Sequence, residues 1–223
     1  MSYASLPELE AAVAACRQCP RLVAYREEIG RTKVRRHLTV TYWARGVPGW
    51  GDPAARALIV GLAPAAHGSN RTGRMFTGDL GRSWLYEALH TVGLAALPTS
   101  THATDGQALS GVYITAAGRC APPQNKPTPA ELRTCQPFLS ETIRLLPTVR
   151  VYLLLGRVAY QAFGRATGWP LPPFAHGARG DLPEGRTVVC SYHPSRQNSQ
   201  TGRLAWPSWL ANFEYIAQAV HAP

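Results

Sequence analysis

The run "ALIVGLAP" (residues 57–64) decides the fold. It is apolar throughout and carries no alternation of apolar and polar positions. Three other runs share that character: "GVYITAAG" (111–118), "RVYLLLG" (150–156) and "TVVCSYHP" (187–194). A strand covered on one face alternates, whereas a strand buried on both faces reads as a continuous apolar stretch. Helical stretches are predicted between the runs, over Arg82 to Val92, Pro129 to Leu145 and Ala159 to Thr167, with a last one over Pro207 to Val220. A first helix is predicted over Leu6 to Cys16, where Ser5 caps, Pro7 takes an early helical position and Glu8 supplies the acid. A second spans Leu22 to Ile29. Strands that alternate with helices give a doubly wound α/β fold, and ligands of such folds sit at the carboxyl ends of the strands. Residues 31–56 read as an irregular basic and aromatic segment. With no repeat and no clear linker, the chain reads as one domain over residues 1–223.

The strand ends run into polar or small-residue stretches. "GLAPAAHGSNRTGRMFTGD" (61–79) places Gly61, Ala63 and Pro64 where backbone can approach a ligand closely. It lacks the ending and spacing of a phosphate-binding P-loop. Phe76 is either a stacking surface for a planar ligand or a core residue. Asp79 is either a helix cap or the one acid available to chemistry in this loop. "SYHPSRQNSQTGR" (191–203) brings His193 out at a strand end. Ser195, Arg196, Gln197, Asn198 and Arg203 follow it as donors to phosphates or bases. "RCAPPQNKPTPAE" (119–131) is stiffened by prolines and carries Asn125 and Lys126 at its tip; it is a rigid crossover or a surface that faces nucleic acid. There is no Ser-His-Asp order and no His-Glu-x-x-His. One Asp, one His, a stacking aromatic and a basic face suit cleavage of a glycosidic bond to a base.

The composition agrees. The formal net charge is +10, nearly all of it arginine, since Lys33 and Lys126 are the only lysines. A GC-rich genome accounts for arginine but not for scarce acids, and a basic surface points to phosphate-bearing partners. No apolar stretch reaches the roughly 18 residues of a membrane span. The amino terminus has early acids and no basic region, which does not read as a signal peptide, so a cytoplasmic protein is expected. Cys16-x2-Cys19, with Cys120 and Cys135, offers four thiolates, enough for a zinc site or an iron–sulfur cluster. Cys190 lies inside a strand run and reads as core.

On these residues the chain resembles the uracil-DNA glycosylase superfamily, and within it the type b, or family 5, branch. "GLAPAAHGSNRTGRMFTGD" resembles that branch's first motif, "HPSRQN" its second, and the cysteine frame that of the iron–sulfur branches. The resemblance implies a four-stranded parallel sheet flanked by helices in three layers, and a [4Fe–4S] cluster on Cys16, Cys19, Cys120 and Cys135. It implies a base-excision repair enzyme that flips a damaged base out of double-stranded DNA as a monomer. Ala63 stands where other branches place an acid or Asn, and Ala116 where they read the uracil edge with Asn. A roomier pocket follows, with uracil first and deaminated purines such as hypoxanthine and xanthine after it. Asp79 then handles the water, His193 donates to the departing base and Phe76 stacks on it. Gly61, Leu62 and Ala63 line the pocket with backbone groups, Asn125 contacts the base, and Ser195, Arg196, Gln197, Asn198 and Arg203 grip DNA. No lysine sits in either motif to form a Schiff base, so a monofunctional hydrolase is expected. The rivals are a metal-stapled module that binds nucleic acid without cleaving it, and a redox protein.

Overall fold

The computed structural model describes residues 2–78 and 83–222, and the side chain of Arg196 lies outside that description. In chain order its elements are α1 (Leu6–Ala15), α2 (Pro20–Thr32), β1 (Trp50–Gly51), β2 (Ala57–Gly61), α3 (Ser69–Thr72), α4 (Trp84–Thr91) and β3 (Val112–Ala116). There follow α5 (Pro129–Arg144), β4 (Val151–Leu155), α6 (Arg157–Thr167), β5 (Arg179–Leu182), β6 (Arg186–Ser191), α7 (Arg196–Gln200) and α8 (Trp206–His221).

The sheet order is β1-β3-β2-β4-β6-β5. The central four strands are parallel, with Ile59 opposite both Ile114 and Leu153, and Leu154 opposite Cys190. These are the four apolar runs of the sequence. Every residue of β2, β3 and β4 is buried, as the absence of alternation requires. The expected four-stranded sheet is extended at each edge by a short antiparallel strand, β1 on β3 and β5 on β6. Neither carries an apolar run: β1 has two residues, and β5 reads Arg-Gly-Asp-Leu.

Alternate residues of each strand feed opposite layers. Ile59, Ile114, Leu153 and Val189 pack with Leu85 and Leu89 of α4 and with Trp209, Phe213 and Ile216 of α8. Leu58, Val60, Tyr152 and Val188 pack with Leu139 of α5 and Phe163 of α6. Cys190 is fully buried in this second layer, as expected of a core residue. Outside it, Leu9 and Val13 of α1 close on Phe138 of α5. Most of residues 31–49 lie outside regular structure, and β1 closes that stretch. The stretch packs on loop 61–78, where the Trp43 and Ala44 amides donate to the Arg71 and Asn70 carbonyls at 2.9 and 3.0 Å. Among the described residues no helix is long and apolar enough to cross a membrane.

Candidate active site

The parallel strands end together, and a cleft of about 300 Å³ opens above them. Leu62 enters it from β2, Leu155, Gly156 and Arg157 from β4, and Tyr192 and His193 from β6. Val158, Phe174, Asn198 and Arg203 complete the wall.

Loop 61–78 sets Phe76 beside His193, next to the residues that line the cleft and not among them. Its ring lies 6.1 Å from that of His193, and the two planes are only 26° apart. It also lies directly against Gly61: a Cβ at that position would sit 2.7 Å from Phe76 Cζ. Gly61 is therefore the residue that lets the ring descend onto the strand end. Phe76 has φ of +58°, a left-handed conformation that an aromatic residue holds only where its surroundings enforce it. The surroundings do so. Tyr86 Oη donates to the Met75 carbonyl at 2.6 Å. Arg74 Nη1 reaches Asp105 Oδ1 at 2.5 Å, and its guanidinium lies 4.3 Å from the centre of the Trp50 ring. Asp105 also accepts from the Ser100 hydroxyl and the Thr101 amide at 2.9 and 2.7 Å. Burial opposes its ionisation, but the Gln107 amide, Arg74 and these donors outweigh burial and hold the carboxyl well below the usual carboxylate range. The Gly78 amide donates to the Ser100 carbonyl at 3.2 Å. Asp79, the acid that the sequence singles out, lies outside the described residues.

The carbonyls of Gly61 and Leu62 do not face the cleft as free acceptors. They prolong the ladder to β3 by accepting from the Ala117 and Gly118 amides, each at 2.9 Å. Ala63 lies beside Gly118, whose Cβ would meet its own at 3.5 Å.

His193 is half-buried by exposure, but protein atoms crowd its ring, and this desolvation pulls the imidazole down to about 4. It is neutral at physiological pH and has one N–H to donate. Among the described residues neither ring nitrogen has a hydrogen-bond partner. Its carbonyl is fixed by the Ser195 amide and by Asn198 Nδ2, both at 2.8 Å. Ser195 caps α7 by accepting from the Asn198 amide at 3.3 Å. Ser195 and Asn198 thus hold the turn that presents His193, while Gln197 and Arg203 are exposed. Arg203 lies 4.7 Å from the centre of the Tyr192 ring. On the opposite wall Arg157 lies 5.1 Å from that of Phe174.

Three contributors were not expected. His176 shares hydrogens with Ser191 Oγ and Ser208 Oγ, each at 3.1 Å, and stacks on Tyr192 at 5.3 Å, so it braces the exit of β6. Arg157 and Phe174 form one wall. Only the Gly156-Arg157 step at the end of a strand run signals any of them. Asn125 stands apart: it is exposed, in a turn with φ of +56°, and does not line the cleft.

A second cavity lies behind β3. Cys16 at the end of α1, Cys19 at the start of α2, Cys120 after β3 and Cys135 on α5 line it together with Leu22, Val23, Leu132 and Phe138. All four are free thiols. Among the described residues no three such side chains converge as they would around a single metal ion. Burial raises the Cys19 and Cys120 thiols and pushes Cys135 up to about 12. Donors reach the sulfurs nevertheless: the Arg119 amide lies 3.3 Å from Cys135 Sγ, and Arg26 Nη1 lies 2.8 Å from Cys120 Sγ.

The profile of the uracil DNA glycosylase superfamily matches residues 48–221. The chain is 56% identical over 199 residues to the type-5 uracil-DNA glycosylase of Thermus thermophilus, covering 88% of this chain and 90% of that one. It is 50% identical over 204 residues to the type-5 enzyme of Mycobacterium tuberculosis, covering 90% and 76%. With the type-5 enzyme of Pyrobaculum aerophilum the identity is 45% over 189 residues, covering 85% and 82%.

Proposed function

Because this chain belongs to the uracil-DNA glycosylase superfamily, we propose that it removes uracil from DNA by hydrolysing the bond between base and deoxyribose. The observation that carries this reading is the pairing of Phe76 with His193 at the strand ends, beside a cleft edged by arginines. A flipped base finds an aromatic face in Phe76 and a neutral N–H in His193. As the glycosidic bond breaks, electrons flow onto the base. The imidazole N–H meets the charge that develops on the O2 of uracil, while the sugar gains oxocarbenium character. Asp79 lies in the same motif and is the acid assigned to the water: it orients the nucleophile and takes its proton. No lysine sits in either motif, so an abasic site is left without strand cleavage.

Ala63 and Ala116 leave room where an acid and an amide would otherwise constrain the base. We therefore extend the substrates to hypoxanthine and xanthine. Gln197, Arg203 and the Arg196 position would meet phosphates around the lesion in double-stranded DNA. We place the enzyme in the cytoplasm as a monomer. Family membership sets aside the non-catalytic module.

We also assign a [4Fe–4S] cluster to Cys16, Cys19, Cys120 and Cys135. The donor set supports it: four thiols from separate elements, apolar walls, and N–H groups aimed at sulfur. When bound, the cluster supplies a covalent cross-link among α1, α2, α5 and the loop after β3.

The test is base release from an end-labelled duplex that holds one uracil, followed by alkali. Strand breaks that appear only after alkali, and that Asp79→Asn abolishes while DNA binding persists, are expected. Full activity in Asp79→Asn would remove the acid from the mechanism. Absence of release from uracil, hypoxanthine and xanthine duplexes alike would overturn the reading.

A further inference from the structure

Two arginines are buried among the described residues, Arg26 and Arg119, and their environments differ. Arg119 is answered by a carboxylate: its Nη1 and Nη2 lie 3.3 and 3.4 Å from Glu10, and Nη2 donates to Thr142 Oγ1 at 2.9 Å. Arg26 is 1% exposed, and among the described residues its guanidinium hydrogen-bonds to no carboxylate. Its Nη1 donates to Cys120 Sγ at 2.8 Å and its Nη2 to the Cys16 carbonyl at 2.8 Å. Its Nε finds no partner. Glu27, next along α2, bonds Arg17 and feels the charge of Arg26 without a hydrogen bond to it. A buried cation with no hydrogen-bonded anion is costly, so a guanidinium whose hydrogen bonds go to Cys120 Sγ and the Cys16 carbonyl calls for negative charge at those cysteines.

We propose that Arg26 is the counter-cation of the iron–sulfur cluster, and that its charge raises the cluster's reduction potential and slows its oxidative loss. The inference rests on the cluster assignment above. A four-iron cluster with four thiolate ligands carries a net charge of about −2 in its resting state. Cysteine sulfurs bind iron as thiolates, and Arg26, in hydrogen-bond reach of Cys120 Sγ, is the buried cation beside them. A cation and an N–H···S bond favour whichever cluster state holds more electrons, and they do so strongly in a buried site. Removing the cation makes the oxidised state easier to reach, and that state loses iron. Arg26 acts on the cluster through the ligand Cys120, so it is a positioning residue and not a ligand.

The experiment compares the full-length protein with Arg26→Gln and Arg26→Lys after anaerobic reconstitution. Three quantities are read: iron and sulfide per chain, the one-electron potential by protein-film voltammetry, and the rate at which ferricyanide produces a three-iron EPR signal. Arg26→Gln is expected to lower the potential by at least a tenfold change in the redox equilibrium, which is 59 mV for one electron. It should also speed the three-iron signal several-fold, and Arg26→Lys should recover most of both. A Gln variant that holds no cluster beside a Lys variant that does also supports the charge requirement. An unchanged potential in Arg26→Gln overturns the proposal. Equal shifts in Gln and Lys, or loss of the cluster from both, overturn it too, since the role is then one of shape. Wild-type protein that binds no iron and sulfide defeats the cluster assignment instead, which is a separate result.

Discussion

Loop 61–78 and segment 191–203 leave parallel strands of one sheet and face the same cleft, yet different forces hold them. The first is pinned from outside itself. Arg74 is tied to Asp105 and covered by Trp50, and Tyr86 holds the Met75 carbonyl. The second is held largely from within, by the Ser195 cap and the Asn198 amide. The pinned loop carries the strained Phe76, which local bonds alone do not explain. The self-capped segment carries His193 in an ordinary turn and leaves Gln197 and Arg203 to the surface. The surface proposed to stack on the base is thus built on the core, while the proposed phosphate grip is built on a short helix.

Breaking the pin should do the most harm. Arg74→Ala strands Asp105, and loss of one partner of a largely buried pair costs about 3 kcal/mol. At about 2–4 °C per kcal/mol for a chain of this size, the melting temperature should fall by about 10 °C in calorimetry. A drop of under 2 °C would show that the loop does not depend on the pair. The pH dependence has a definite sign. The Asp105 carboxyl is depressed in the folded state, so its stabilisation is present above the unfolded value of about 4 and is lost as pH falls toward its folded value. Asp105→Asn should flatten the acid limb of a stability–pH curve.

Gly61→Ala tests the contact between strand and ring. Its Cβ would drive Phe76 upward, and kcat/KM for a uracil duplex should fall about tenfold, near 1.4 kcal/mol. Unchanged kinetics would mean that Phe76 does not stack on the base. On the other side of the cleft, Ser195→Ala removes a cap worth about 1 kcal/mol. Because that segment is held locally, the loss should appear as faster amide exchange over residues 195–200 with little change in melting temperature. The smallest effect belongs to Arg203→Gln, which should weaken DNA binding a few-fold and lower the slope of affinity against salt by about 1. An unchanged slope would place Arg203 away from phosphate.

The central strands were legible because burial on both faces leaves an uninterrupted apolar run. The edges were not: Trp50–Gly51 is too short for a period, and Arg-Gly-Asp-Leu is polar because it lies at the margin. Helices α3 and α7 are shorter than the window in which helical periodicity is visible. Phe76 and His193 were legible as residues that leave strand ends, and the fold brings them together. The cleft walls were not, since Phe174 and His176 come from an irregular stretch and matter only through packing. Cysteine spacing proposed a metal but could not choose zinc or iron–sulfur, because ligand type and count are common to both. Arg26 carried no signal beyond its place seven residues after Cys19, on the same side of α2.

The two margins of the sheet have a consequence for how copies of the chain meet. One ends in a two-residue strand; the other ends in a four-residue strand with charges at Arg179 and Asp181, and Pro183 follows it at once. Neither presents a long flat row of unpaired amides, so neither is a template on which another strand could add. Copies of the chain that crowd together are therefore not expected to join sheet to sheet through either margin.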